Sequence, residues 1–221
     1  GDLSLMLQDI DALATSNEST SLLTFPDMVG RKKTRALAHW CEQRGFACAI
    51  DEREFGEWSR RGPNEPAVAL CGVDNAHARA ALEEAGFRLV VETGLGAGPE
   101  AFRNLSLHTF PSSLKAASLW RTDARSDASD LLDLPAYDAR KHDHLDECGL
   151  AQLASRTVGV PFVGLIAACL AIGELLKRLH GGQALELVSL STVTMDDAEC
   201  STIPSPLYEF GHAKLRHRVT Q

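Results

Sequence analysis

The 221-residue sequence predicts an α/β fold built on a mostly parallel, doubly wound sheet. Three observations lead there. Short apolar runs rich in strand formers alternate with stretches of helical spacing, the order that winds strands into a parallel sheet. Two of those runs end in polar pairs: Asp9-Ile10-Asp11 closes residues 3–8, and Asp74-Asn75 follows residues 66–71. Open α/β sheets present ligand-binding groups at such carboxyl ends of strands. Between the two strand ends, Gly30-Arg31-Lys32-Lys33 opens a basic helix, a combination suited to a nucleotide with its metal.

Each element follows from its own residues. After the first strand, residues 12–28 are polar and small, with Thr15, Ser16, Asn17, Glu18, Ser19, Thr20 and Ser21 in succession, and read as a loop. Thr34, Leu37, Ala38 and Cys41 recur at helical spacing over residues 30–44, and Gly45 supplies the stop. Residues 46–53 alternate as a strand, and 57–65, with Arg60, Arg61, Gly62 and Pro63, as a surface connection. A second central strand over 67–71 leads to a helix over 77–86, then strands over 87–92 and 101–108. Gly94, Gly96 and Gly98 between those strands are spaced G-x-G-x-G, without a following helix start, and read as a turn. Residues 121–145 are dominated by Asp, Ser, Arg and His and read as a crossover loop. A short helix over 148–155 precedes a long one over 161–179, with Pro161 at its first position and Gly181 past its end. A last strand over 185–194 precedes an irregular tail.

Composition narrows the function classes. The apolar content of 44% and charged content of 24% are those of a globular domain with a full core. A net charge of −8 argues against a nucleic-acid binder, and the short basic clusters at 31–35 and 215–218 read as solvated helix faces. The six cysteines form no C-x-x-C pair, so a zinc ribbon or redox pair is not signalled. Cys71 and Cys169 lie in apolar runs as small core residues, and a reducing cytoplasm without disulfides is expected. Residues 157–173 carry no charge, near the shortest stretch able to cross a bilayer. Gly159, Pro161, Gly164 and Gly173 interrupt it, so the expectation is a helix buried all round, inside the fold or at a subunit interface, without membrane contact.

Taken in order, five pieces resemble the ubiquitin-activating enzymes and their bacterial ThiF/MoeB relatives: Asp9-Ile10-Asp11; Ser16-Asn17; Gly30-Arg31-Lys32-Lys33; Val73-Asp74-Asn75 with Arg79; and Cys148-Gly149 before the helix entry at Val158–Gly164. That family shows D-x-D at a strand end, then S-N, G-x-x-K opening a helix, D-N-x-x-x-R after a strand, and a cysteine ahead of a G-V-x-x-P-x-V-G-like turn. The resemblance spans roughly residues 3–182. It implies a Rossmann-like fold, with residues 1–195 as the adenylation domain and 196–221 as a tail.

The resemblance also implies a chemistry. Members use ATP and Mg²⁺ to join AMP to the C-terminal carboxylate of a ubiquitin-like protein or peptide, releasing pyrophosphate. Carried over, Asp11 holds the ribose hydroxyls with Asp9 beside it, and Asn17 meets the phosphates or the attacking carboxylate. Lys33 lies along the phosphates, Asp74 holds the Mg²⁺, and Cys148 is the acceptor for a following thioester or persulfide step. Such residue types suit these tasks: a carboxylate accepts from a diol, a lysine is a compact phosphate charge, and magnesium takes one or two carboxylates plus substrate oxygens. A homodimer through the apolar 158–179 region, or a complement of a larger chain, is implied too.

Plainer readings stand beside these. Asp9 and Asp11 serve equally as strand-end caps, Asp74 and Asn75 as caps of the following helix, and Lys32 and Lys33 as part of a solvated face. A helix start lowers the pKa of the Cys148 thiol, whereas Asp146 and Glu147 beside it raise it. His142, His144 and Cys148 match no standard zinc spacing, so zinc is not expected. The sequence also departs from the family pattern. It begins almost at D-x-D, without the Gly-rich nucleotide loop and its βα unit, and Glu18-Ser19-Thr20-Ser21 stands where an arginine should follow S-N. A fragment of a longer adenylyltransferase is the expectation. The alternatives are a protein-binding module that has lost catalysis and an unrelated Rossmann-type nucleotide enzyme.

Overall fold

The computed structural model describes residues 4–96, 101–120, 160–193 and 198–204. Strand β1 (Ser4–Gln8) leads through a one-turn helix α1 (Asn17–Thr20) to helix α2 (Lys33–Glu42) and strand β2 (Ala47–Asp51). Strand β3 (Val68–Cys71), helix α3 (Ala76–Ala80), strands β4 (Leu89–Leu95) and β5 (Asn104–Phe110), and helix α4 (Ala116–Leu119) follow. Helix α5 (Pro161–Leu179), strand β6 (Ala184–Ser191) and strand β7 (Glu199–Ile203) complete the described elements.

Strands β1 and β2 form a parallel pair, and the rest form a five-stranded sheet in the order β3-β4-β5-β6-β7. Pairing is parallel between β3 and β4, then antiparallel through β5, β6 and β7. The α/β class and Rossmann-like arrangement stand, but the pairing is mixed and not mostly parallel: among the described residues only β1–β2 and β3–β4 run parallel. Chain length explains the change of direction. Parallel neighbours need a crossover of a dozen or more residues, while β4 and β5, like β6 and β7, are joined by shorter connections that only reverse the chain.

The five-stranded sheet is covered on both faces. Leu89, Val91 and Leu107 point to α5, where they meet Ala171 and Leu175; Val90 and Phe110, one residue out of step, meet Leu82 and Ala116 on the other face. Helix α5 is pinned by a buried ion pair. Glu174 Oε1 accepts from Arg178 Nε (2.7 Å) and from the Leu185 backbone N–H (2.8 Å), and Arg178 donates to the Leu185 carbonyl and to Thr109 Oγ1.

Several expectations shift. Helix α5 buries Val163, Ala167 and Ala171 but leaves Phe162, Leu165, Cys169, Ile172 and Leu176 outward, so within a single chain it is not buried all round and Cys169 is exposed. No helix among the described residues is long and apolar enough to cross a membrane. Residues 93–95, read as part of a glycine turn, continue β4, because six ladder pairs with β5 outweigh the weak strand propensity of Gly94. Residues 199–203, read as irregular tail, form β7 on the edge beside β6. Helix α3 closes at Ala80 instead of reaching 86.

Candidate functional site

The carboxyl end of β1 is sewn to the start of α2. Lys33 N–H donates to the Asp11 carbonyl (3.0 Å), Leu13 N–H to the Arg31 carbonyl (2.8 Å), and Gly30 N–H to the Leu13 carbonyl (2.8 Å), with Ala12 bridged to Lys32. This backbone stitching brings the D-x-D and G-x-x-K segments together across 22 residues of sequence. Lys33 Nζ lies 2.7 Å from Asp11 Oδ2 and 3.8 Å from Asp9 Oδ2, while Asp9 Oδ1 accepts from the Asp11 N–H at 2.7 Å. The ammonium is partly open and Asp11 is 61% exposed. Asp9 and Lys33 also line a cavity of about 280 Å³ whose other walls include Leu13, Met28 and Trp40. Two carboxylates, one ammonium and an apolar recess can hold a polar ligand with a flat ring.

Asn17 is used locally. Its Oδ1 accepts from the Ala14 N–H (2.8 Å) at the entry to α1. That hydrogen bond fixes a turn and leaves the amide NH₂ as the group that could meet a ligand.

At the carboxyl end of β3 the chain turns through Gly72 to Asn75. Asp74 is exposed and has no hydrogen-bond or ion-pair partner among the described residues. Asn75 caps α3, its Oδ1 accepting from His77 N (2.8 Å) and Ala78 N (3.4 Å), so the helix-capping reading holds for this residue. One turn on, Arg79 folds back and donates from Nε to the Val73 carbonyl at 2.7 Å. Beneath it, Glu92 is fully buried, its Oε1 3.1 Å from Arg79 Nε and its Oε2 2.9 Å from His108 Nδ1. The Trp120 ring meets His108 edge-on at 4.9 Å and lies 5.8 Å from the Arg79 guanidinium carbon. Burial pushes the nearby Cys71 thiol up to about 11, which makes it a poor nucleophile.

Asp9, Asp11 and Lys33 are thus brought together, while Asp74 sits on a separate turn with no hydrogen bond or ion pair joining it to them among the described residues. Cys148, His142 and His144 lie outside the described residues, as does Gly98. Glu92, His108 and Trp120 escaped the sequence reading. The one signal was a glutamate continuing the apolar run Leu89–Val91, an expensive place for a charge unless it is paired.

Comparison with known proteins identifies the family and the fold. The profile of the BilD C-terminal domain matches residues 1–182. The chain belongs to this family. It is 54% identical over 213 residues to the bacterial E1-like protein BilD of Collimonas sp. (strain OK412), covering 96% of the present chain and 46% of that relative. It therefore spans about half the length of the curated relative it matches. Among solved structures, E. coli MccB superposes with a TM-score of 0.59 at 11% identity, over 92% of this chain and 56% of MccB. MccB with AMPCPP and MccA superposes with a TM-score of 0.54 at 12% identity, over 95% of this chain and 59% of MccB. At such identities the likeness shows the fold, a Rossmann-like E1-like architecture.

Proposed function

We propose that this chain is part of an adenylyltransferase that activates a C-terminal carboxylate, of a peptide or a ubiquitin-like protein, with ATP and Mg²⁺. The observation that carries the reading is Lys33, held between Asp9 and Asp11 at the carboxyl end of β1 in a chain of the BilD family. MccB, which shares the fold, has been crystallised with AMPCPP and MccA. In this reading Asp11 accepts from ribose hydroxyls, with Asp9 beside it, and Lys33 exchanges its exposed carboxylate partners for phosphate oxygens. That exchange costs little, since exposed ion pairs contribute about 0–1 kcal/mol.

The donor set fits a magnesium ion. Magnesium takes one or two protein carboxylates and otherwise keeps water and phosphate oxygens, and Asp74 offers an exposed carboxylate with no partner among the described residues. When bound, the ion neutralises charge on the triphosphate. The Asn17 NH₂ would orient the incoming carboxylate, and catalysis would consist of positioning and charge stabilisation. Passage of the activated acyl group to Cys148 forms the second half of the proposal. A thiol-sensitive adduct with the acceptor, lost in Cys148→Ala, is the expected sign of it.

The outward stripe of α5 supports pairing with a second copy. Phe162, Leu165, Cys169, Ile172 and Leu176 recur at spacings of three and four, the pattern of a helix–helix seam. Sedimentation of Leu165→Lys should show a monomer where the native chain is a dimer. For the reaction itself the decisive measurement is ATP–pyrophosphate exchange by the full-length protein, lost in Asp74→Ala. A chain that captures its acceptor but shows neither exchange nor nucleotide binding would be the binding module instead. The Lys33 charge already met by two carboxylates is the observation on that side.

A further inference from the structure

We infer that Arg79 is a positioning residue for Asp74, and that Glu92, His108 and Gly94 exist to aim its guanidinium at the Val73 carbonyl. The inference rests on the reading that Asp74 faces the metal-bound nucleotide. The residue before Asp74 offers its carbonyl to Arg79 Nε at 2.7 Å, so the peptide that carries the Asp74 amide is held from below. The other side of the turn is fixed by the Asn75 cap on α3. Asp74 thus sits between two anchored residues while its own carboxylate stays open to solvent.

The support under Arg79 is built from three directions. Glu92 supplies the counter-charge at 3.1 Å from Nε. The single Nε hydrogen is directed to Val73, which leaves Glu92 Oε1 without a hydrogen-bond donor, so this contact is an attraction of charges. A buried carboxylate oxygen left in that state is costly, and it marks the arginine's aim as the constraint being served. His108 anchors the other oxygen of Glu92, and the Trp120 ring lies against both the His108 ring and the Arg79 guanidinium. The floor is Gly94 on β4. A Cβ there would lie 3.0 Å from each terminal nitrogen of Arg79 and 3.1 Å from Ser106 Oγ, so any larger residue makes the guanidinium give way by a few tenths of an ångström. The φ of Gly94 is not in the left-handed region, and room for Arg79 is its reason.

A support of this kind changes ligand affinity without touching the ligand. Groups that orient a metal-binding side chain typically govern about 10–100-fold in metal affinity. The test uses the full-length protein and the Mn²⁺ concentration that gives half of the ATP-induced rise in melting temperature. Gly94→Ala and Arg79→Gln should raise that concentration about 10-fold. The melting temperature without ligand and the KM for the acceptor should stay near native values in Gly94→Ala. Arg79→Lys should recover part of the loss, since an ammonium can reach the carbonyl but lacks the guanidinium plane. If Asp74→Ala abolishes nucleotide binding yet Gly94→Ala and Arg79→Gln leave the Mn²⁺ midpoint alone, positioning is wrong while the adenylation reading survives. A fall in melting temperature and metal affinity together with a matching rise in acceptor KM would reduce the cluster to ordinary stabilisation. Absence of metal-dependent nucleotide binding in the native protein would remove both ideas together.

Discussion

Two polar clusters, one at the carboxyl end of β1 and one in the middle of β4, behave in opposite ways. At β1, Lys33 faces Asp9 and Asp11 near the surface; at β4, Arg79 and His108 face Glu92 inside the molecule. The first is screened by water and salt, so its pairs are weak and can be exchanged for a ligand. The second is removed from water, so its members are committed to each other. An exposed cluster offers charge to a ligand, whereas a buried one fixes the geometry of what lies above it.

The sharpest way to break this contrast is at Asp74, the residue the buried cluster is inferred to position in the proposed reaction. Asp74→Ala should lower pyrophosphate exchange by about 100-fold or more, the scale of losing a key electrostatic group, with the unfolding midpoint in urea unmoved. Next in size is Glu92→Ala, which strands Arg79 and His108 without their counter-charge. It should cost about 3–5 kcal/mol by chemical denaturation, the range for breaking a buried pair. Lys33→Ala should do the reverse. Nucleotide affinity should drop about 10-fold in titration calorimetry, while stability changes by less than about 1 kcal/mol because its partners are exposed.

The smallest effect concerns pH. The Ser113 hydroxyl and backbone N–H, with the Ser201 hydroxyl, hold the Glu186 carboxyl below its usual range. A lowered folded-state pKa gives stability that is complete above the unfolded value and lost as pH falls through the folded one. Glu186→Gln should therefore flatten the acid side of the stability–pH curve and leave the neutral region nearly unchanged, as thermal melts from pH 3 to 7 would show. Cys71 works at the other end of the scale. With its thiol pushed up to about 11, stability should decline as pH rises from the ordinary thiol value of 9.0 toward 11, because the unfolded chain gives up that proton first.

Local signals carried the expected elements close to their observed bounds where pattern and propensity agreed. Pro161 and Gly181 predict a helix over 161–179, and helix α5 is observed as Pro161–Leu179. Strands β1 and β3 lie within a residue or two of their expected spans, since each is a short apolar run bounded by polar residues. The readings failed where pairing overrode propensity: Gly94 is held in β4 by its neighbour across the ladder, and residues 199–203 become a strand only because β6 presents an edge. The site divided the same way. Asp9, Asp11 and Lys33 were visible because acidic strand ends and a basic helix start are local features. His108 and Trp120 were not, because nothing near them in sequence tells that they meet Glu92.

The amino-acid order by itself determined the α/β class, the polar strand ends at Asp9-Asp11 and Asp74-Asn75, and the lysine between them, since these depend on periodicity and residue type. Tertiary structure alone decided that Lys33 closes onto Asp11 across 22 residues, that the sheet turns antiparallel after β4, and that Gly94 makes room for Arg79. The physical reason is range. Propensity and capping act over a few residues, whereas charge pairing and steric room are settled by groups that become neighbours only when the chain has folded.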